Sequence, residues 1–261
     1  MTRMIGILIL FVLVIAGCSD DSTGPAEGKG EIKIYMVDAP SLYDSVVVCI
    51  SRVEVHTYGS VDGEGWIVLN DSTRYFDLLQ LSNGANVLLG NAQLEAGSYT
   101  QIRLIVTGES YVIVQGIKTK MTISSGIQTG IKLNHQFTIE AGVTYSLILD
   151  FDAENSVNFQ GNGSCMLKPV IRVMPVETSG SISGQVLPLE ASATVWTIAG
   201  SDTASTFPDE SGNFKLVALP EGMYDVNFSA GDTTYADITV NGVQVTAGSD
   251  KNIGTITLPK K

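Results

Sequence analysis

The sequence predicts an all-β protein built from two antiparallel β-sandwich domains, although an elongated barrel fits the strand pattern of the first domain nearly as well. Apolar residues alternate with polar ones, as at Ile32, Ile34 and Met36, which is the pattern of an antiparallel strand with one buried face. A continuous β-branched run at 45–50 is typical of a central strand. The sequence shows no long apolar stripe with the 3.6-residue period of a helix.

The first 17 residues have the features of a secretion signal. Arg3 supplies a positive charge, and residues 5–15 form an apolar run that is too short for a stable membrane-spanning helix. The run ends in Val14-Ile-Ala-Gly-Cys18, which resembles the lipobox of bacterial lipoproteins. That resemblance implies cleavage in front of Cys18 and attachment of diacylglycerol to its thiol. Residues 18–30 are polar, and we expect a flexible tether there.

The residues after the lipobox bear on location. Ser19-Asp-Asp21 resembles the acidic export tag by which some double-membraned bacteria send lipoproteins to the cell surface. The sequence therefore predicts a lipid-anchored protein of the outer membrane that faces outward. The alternative is a periplasmic body on a merely solubilising linker.

Charge restricts the partners. The chain carries a formal net charge of −12, and removal of residues 1–17, whose only charge is Arg3, leaves −13. An acidic body repels phosphates and anionic lipid headgroups, which argues against nucleic acid as a partner. The expected membrane contact is therefore the lipid on Cys18.

Two cysteines remain in the processed chain. Cys49 and Cys165 would face an oxidising compartment, in which a disulfide between them is permitted. Two buried free thiols are the alternative, because the sequence does not tell whether the two Cα atoms come within bridging distance.

A domain boundary is predicted between Pro175 and Gly180. Residues 177–181 are polar and rich in structure-breaking residues, which separates a domain at 31–176 from one at 180–261. One local pattern recurs in both domains, a glycine followed closely by a tyrosine that opens the next strand. We interpret its three copies as hairpin corners; they are Leu94–Tyr99, Ile139–Tyr145 and Leu219–Tyr224.

Residues 31–176 resemble the DUF4382 family, a bacterial domain family of unknown function. The pieces that carry the resemblance follow one another in order, and they are Met36–Pro40, Val46–Ile50, Val53–Val55, Trp66–Leu69, Phe76–Leu79, Leu94–Tyr99, Ile102–Leu104, Leu149–Asp152 and Leu167–Ile171. The resemblance implies an extracytoplasmic β-rich domain that is often found on lipoproteins. It supplies no activity and no catalytic residues.

Residues 180–261 resemble the carboxypeptidase regulatory-like domain, a β-sandwich of the prealbumin (transthyretin) type. The resemblance rests on Ile182–Val186, Asp209–Phe214, Leu219–Tyr224 and Val243–Gly248. It implies a structural or docking module, and its name does not make the chain a peptidase.

The residues that could carry chemistry are few. Neither His56 nor His135 lies in a zinc-peptidase pattern, and we expect His56 at an exposed strand position and His135 in a polar turn. The usual serine-nucleophile patterns are absent from the sequence. Asp150 and Asp152, at i and i+2 of a strand, should point the same way, and could act as acid and base or bind calcium. A polar strand end that faces water is the simpler interpretation.

Two functional hypotheses follow. The first is a lipid-anchored binding, adhesion or scaffold protein of the cell envelope, without catalysis, cofactor or metal, whose partner is an envelope protein or glycan. The second is an accessory glycan- or peptide-processing enzyme that uses Asp38, Asp150 and Asp152. A cleft that gathers these acids would favour the enzyme, and their separation onto different faces would favour the binding protein.

Overall fold

The computed structural model describes residues 28–61, 63–123 and 130–261. Cys18, the predicted secretion signal and most of the predicted tether lie outside the described residues. The described chain is all-β, as predicted, with its apolar side chains in two separate clusters. We call residues 28–178 the N-terminal unit and residues 179–261 the C-terminal unit.

The N-terminal unit is a sandwich of two sheets that share one core. Its strands are β1 (Lys29–Ala39), β2 (Ser45–Thr57), β3 (Trp66–Asn70), β4 (Arg74–Asp77), β5 (Val87–Glu95), β6 (Gly97–Val106), β7 (Tyr111–Val114), β8 (Ile117–Ile123), β9 (Ile131–Ile139), β10 (Thr144–Asp152), β11 (Val157–Phe159), β12 (Cys165–Leu167) and β13 (Ile171–Pro175). The helical pieces are one α-turn, α1 (Ala153–Ser156), and 3-10 turns at Leu78–Leu81 and Val176–Thr178.

The two sheets differ in size. The small sheet has the order β13-β10-β1-β5, and the large sheet has the order β11-β12-β8-β7-β2-β6-β9. The long strand β2 also pairs with β3 and β4, which gives the large sheet nine strands. Inward-facing residues such as Ile34 and Leu149 on the small sheet and Val48 and Ile102 on the large sheet are fully or almost fully buried.

The C-terminal unit is a smaller sandwich with its own core. Its strands are β14 (Ser179–Leu187), β15 (Thr194–Ala199), β16 (Asp202–Thr206), β17 (Asn213–Pro220), β18 (Gly222–Ser229), β19 (Ile238–Val245) and β20 (Asp250–Thr257), with a 3-10 turn at Leu189–Ala191. The three-stranded sheet β17-β14-β20 faces the four-stranded sheet β16-β15-β18-β19 across the second cluster. Phe214 and Phe228 meet edge to face there, with ring centroids 5.4 Å apart.

The prediction of antiparallel sheets needs correction. Three strand pairs are parallel, namely β1 with β10, β8 with β12, and β14 with β20. Parallel neighbours need a long crossover connection, and in each of these pairs many residues separate the two strands along the chain. The local alternation of apolar residues reports which face of a strand is buried but not the direction of its neighbour.

The tyrosines of two predicted corners stabilise those corners directly. The Tyr99 hydroxyl donates to the Glu95 carbonyl at 2.9 Å, and the Tyr224 hydroxyl donates to the Pro220 carbonyl at 2.7 Å. In both cases the acceptor lies four residues earlier, before the turn, so the side chain closes the corner as a tyrosine corner does in other β-sandwiches. The recurring pattern in the sequence is thus a recurring hydrogen bond.

The two units meet along the outward face of the small sheet. Asn83, in the loop before β5, has a positive φ of 54°. Its side-chain oxygen accepts from the Lys215 amide at 2.6 Å, and its side-chain nitrogen donates to the Asn213 carbonyl at 3.1 Å. The side-chain amide of Asn83 thereby forms the two hydrogen bonds that a neighbouring strand would form with the edge of β17.

Candidate functional site

The acidic residues that an enzyme could use lie on opposite faces of the small sheet. Asp38 pairs in register with Phe151 on the inward face, whereas Asp150 pairs with Val37 on the outward face. Asp150 and Asp152 both line one cleft, so the prediction that they point the same way is confirmed. Asp38 does not line that cleft. Asp38 is thus separated from Asp150 and Asp152, which is the arrangement expected under the hypothesis of a binding protein.

Asp38 is a buried carboxyl with an incomplete set of partners. It is 5% exposed, its Oδ1 accepts from the Ala153 amide at 3.1 Å, and its Oδ2 has no hydrogen-bond partner among the described residues. Burial raises the pKa of Asp38 to about 9, because removal from water penalises the charged form more than the Ala153 amide stabilises it. Asp38 is therefore a neutral acid at pH 7.

Asp150 and Asp152 are both engaged by neighbours. Arg172 Nη2 contacts Asp150 Oδ2 at 2.5 Å, and their side chains are only 12% and 14% exposed. Burial raises the pKa of Asp150 and the Arg172 guanidinium opposes that rise. The expectation of a polar strand end that faces water is thus wrong for Asp150, because the C-terminal unit covers this end of the sheet. Asp152 caps α1 by accepting from the Asn155 amide at 2.9 Å.

The cleft at this position lies between the two units and has a volume of 420 Å³. Asp202 and Thr203 of the C-terminal unit complete the wall that carries Asp150, Asp152 and Arg172. Nowhere in residues 28–61, 63–123 and 130–261 do three or more His, Cys, Asp or Glu side chains form a group that could hold a metal ion.

The disulfide considered for Cys49 and Cys165 does not form, and both are buried free thiols. The Cys49 amide donates to Ser110 Oγ, the Met121 amide donates to the Ser110 carbonyl, and Met121 pairs in register with Cys165. The cysteines therefore lie in one row of the large sheet, three strand spacings apart, or roughly 14 Å. A disulfide needs Cα atoms within about 7 Å.

His56 has the outward strand position that was predicted but not the exposure, and His135 lies in a strand and not in the predicted turn. His56 is on the outward face of β2 but is only 9% exposed, and its ring centroid lies 4.8 Å from that of Trp66. His135 lies within β9, where burial lowers its pKa and where its buried Nε2 has no hydrogen-bond partner in the part of the chain that the structure describes. The burial of the two histidines could not be predicted from their polar sequence neighbours, because it depends on which strands pair beside them.

A cluster of aromatic and cationic side chains covers the outward face of β2. Register places Glu54 beside Arg103 and Arg103 beside Lys132, all on the outward face of the large sheet. Arg103 Nη2 contacts Glu54 Oε2 at 2.5 Å, and the Glu54 side chain is only 4% exposed. The Arg103 guanidinium carbon lies 3.9 Å from the Trp66 ring centroid, and Lys132 Nζ lies 5.8 Å from it. The Trp66 ring therefore reaches across β2 and covers the Glu54–Arg103 pair.

A second cluster lies farther along the same face. Tyr111 and Lys120 are paired in register, and Lys118 Nζ lies 3.5 Å from the Tyr111 ring centroid. Tyr75, on β4, is 59% exposed. We call the outward surface of the large sheet the basic face, defined by its cations and aromatic residues, which are Arg52, Trp66, Tyr75, Arg103, Tyr111, Lys118, Lys120 and Lys132.

The sequence contained only part of the signal for this site. The alternation around Ile102 and Leu104 places Arg103 on an outward face. The sequence gives no sign that β2, β3, β6 and β9 lie side by side, and this neighbourhood brings Trp66, Arg103 and Lys132 together.

Comparison with known proteins identifies a family. The model of the family described as "Domain of unknown function (DUF4382)" matches residues 29–169. A search of curated proteins finds no match. The part of the chain that the structure describes contains no helix that is long and apolar enough to cross a membrane.

Some solved structures show weak similarity. One is a cohesin–X-dockerin complex of Acetivibrio cellulolyticus, at 22% identity and a TM-score of 0.26, over 31% of this chain and 58% of the other. Another is the minor pilin GBS52 of Streptococcus agalactiae, at 10% identity and a TM-score of 0.26, over 88% and 96%. A third is the shaft pilin spaA of Lactobacillus rhamnosus GG, at 10% identity and a TM-score of 0.26, over 90% and 98%. The chain thus spans just over half of the first of these, and similarity this low says nothing about ligand or partner.

Proposed function

We propose that this chain, which belongs to the DUF4382 family, is a lipid-anchored binding or scaffold protein of the cell envelope that acts through its β-sandwich surfaces without catalysis. The observation that carries the proposal is the basic face, a broad sheet surface with aromatic rings and cations that no other layer of the described residues covers. The acids of the enzymatic alternative give it less support, because Asp38 lies on the far side of the sheet from Asp150 and Asp152.

The proposed anchor is diacylglycerol on Cys18, followed by a tether over residues 18–30. The lipobox supports this anchor.

The C-terminal unit is proposed to be a carboxypeptidase regulatory-like docking module of the prealbumin type. Its sandwich of three and four strands around a single core supports that assignment.

Fractionation of cells tests the anchor. The wild type should sediment with membranes, and Cys18→Ala should appear as a soluble or uncleaved form, because only the thiol accepts the lipid. Identical fractionation and migration of the two proteins would contradict the proposed anchoring.

Protease treatment of intact cells tests the outward orientation. We expect residues 30–261 to be digested in the wild type and protected after Asp20 and Asp21 are both changed to alanine, because the acidic tag directs export. If the wild type is digested only after the outer membrane is opened, the protein faces the periplasm.

A further inference from the structure

The basic face gathers cations in an acidic chain, and four carboxylates lie on it or beside it. The chain has 15 Lys and Arg residues and a formal net charge of −12, and five of those cations lie on this one surface. Several carboxylates on or beside it already have partners: Arg103 contacts Glu54, Lys120 contacts Glu109, and the Ser45 hydroxyl donates to Asp77. Asp71 lies at the edge of the face, beside Arg52.

Aromatic rings position two of these cations in place of carboxylates. Lys118 lies over Tyr111 and Lys132 lies within reach of Trp66. Neither lysine forms a salt bridge with any residue that the structure describes. A ring orients an ammonium group without neutralising it, so both charges stay available to an external anion.

The surroundings of Trp66 also supply groups that recognise hydroxyls. Gln101 and Asn134 lie in the row of Trp66 and His56, and the Gln101 amide donates to the Asn134 oxygen at 2.8 Å. Each side-chain amide keeps further donor or acceptor capacity after this bond. The face thus combines an aromatic ring, amides and cations that form no salt bridge with a described residue on one side of the large sheet.

We infer that the basic face binds an acidic polysaccharide, a chain of sugar rings that carry carboxylates. The apolar faces of sugar rings pack on aromatic side chains, their hydroxyls bond to amides, and their carboxylates pair with Lys and Arg. The inference rests on the proposed binding function and names the class of its ligand.

The spacing of the cations indicates an extended ligand. Lys118 on β8 and Lys132 on β9 lie on the same side of β2, and their register positions are about nine residues apart along β2, which amounts to roughly 30 Å. A polymer with charges at intervals can reach both lysines. A densely charged nucleic acid would gain few ion pairs here and would bring many phosphates toward an acidic body.

Titration calorimetry with alginate oligomers, which are built from uronic acids, tests the inference on the full processed chain in neutral detergent. We expect binding that weakens with salt, and no binding of neutral dextran. Lys132→Glu and Trp66→Ala should each raise Kd by about tenfold or more. Lys251→Glu makes the same charge change on exposed β20 of the C-terminal unit, and should alter Kd by less than about twofold.

Trp66→Phe is the control for loss of folding in Trp66→Ala. It keeps an aromatic ring and should retain most of the affinity. The inference would be overturned if alginate did not bind, or if either Lys132→Glu or Trp66→Ala left the affinity unchanged. Equally tight binding of single-stranded DNA or of vesicles with anionic phospholipid would also overturn it. These results are independent of the Cys18→Ala fractionation, so the ligand class can fail while the anchored protein stands.

Discussion

Substitution of Asp38 by asparagine should stabilise the protein at neutral pH. Asparagine has almost the same shape, can still accept from the Ala153 amide, and leaves the second polar atom as unpaired as Oδ2 is now. It carries no titrating proton. The comparison of the two proteins therefore isolates the free energy of keeping the Asp38 carboxyl neutral.

The magnitude follows from the two pKa values. The pKa of Asp38 rises from 3.8 to about 9 on folding, so the folded state binds a proton that the unfolded state has lost at pH 7. Each pH unit above the unfolded value costs about 1.4 kcal/mol, which gives about 4 kcal/mol at pH 7. The contribution of Asp38 to stability is fully present below pH 3.8 and declines as pH rises toward 9.

Urea unfolding of both proteins at several pH values from 4 to 8.5 measures this difference. Asp38→Asn should unfold at a higher urea concentration at pH 7, and the two curves should converge near pH 4. A pH-independent difference, or a less stable variant at pH 7, would refute the assignment of Asp38 as a buried neutral acid. Asp209→Asn is the control with the opposite slope, because hydrogen bonds from Asn213 and Ser211 lower the pKa of the exposed Asp209.

Three further results are expected. Tyr224→Phe should lower the free energy of unfolding by about 1 kcal/mol, because the Pro220 carbonyl loses its hydrogen bond. Tyr58→Phe, at a position that is 67% exposed, should change the free energy of unfolding little. Equal effects of the two variants would contradict the tyrosine corner. In denaturant without reductant, iodoacetamide should label Cys49 and Cys165 by mass spectrometry, and a pair that is labelled only after reduction would reveal a disulfide. Residues 179–261, which have their own core, should unfold cooperatively on heating, and a gradual transition would show that they depend on the N-terminal unit.

The period of the apolar pattern was sufficient to predict the fold class. Alternation at Ile32, Ile34 and Met36 and around Ile102 reports the burial of one face, which a single strand encodes by itself. The direction of neighbouring strands is not encoded locally. Glu31 of β1 pairs with Thr144 of β10, and the parallel direction of that pair depends on the path of the chain that connects the two strands.

The candidate site was less predictable than the fold. The alternation of Ile32, Ile34 and Met36 puts Asp38 in the buried phase of β1, but only the tertiary structure shows that its carboxyl stays in the core and accepts from the Ala153 amide. Arg103 could be assigned to an outward face, but its partners are distant in sequence: Glu54 precedes it by 49 residues. Trp66 joins them only because β3 pairs with β2. A surface assembled from seven strands has no contiguous sequence signature.

Lysine footprinting of cells tests the central claim most directly, because it asks whether the basic face is occupied in the envelope. A membrane-permeant acetylating reagent is applied to intact cells and to the purified full chain, and modification is measured by mass spectrometry. We expect Lys118 and Lys132 to be protected on cells and Lys251 to be modified equally in both samples. Equal modification of Lys118 and Lys132 on cells and in the purified chain would contradict a binding function for this surface.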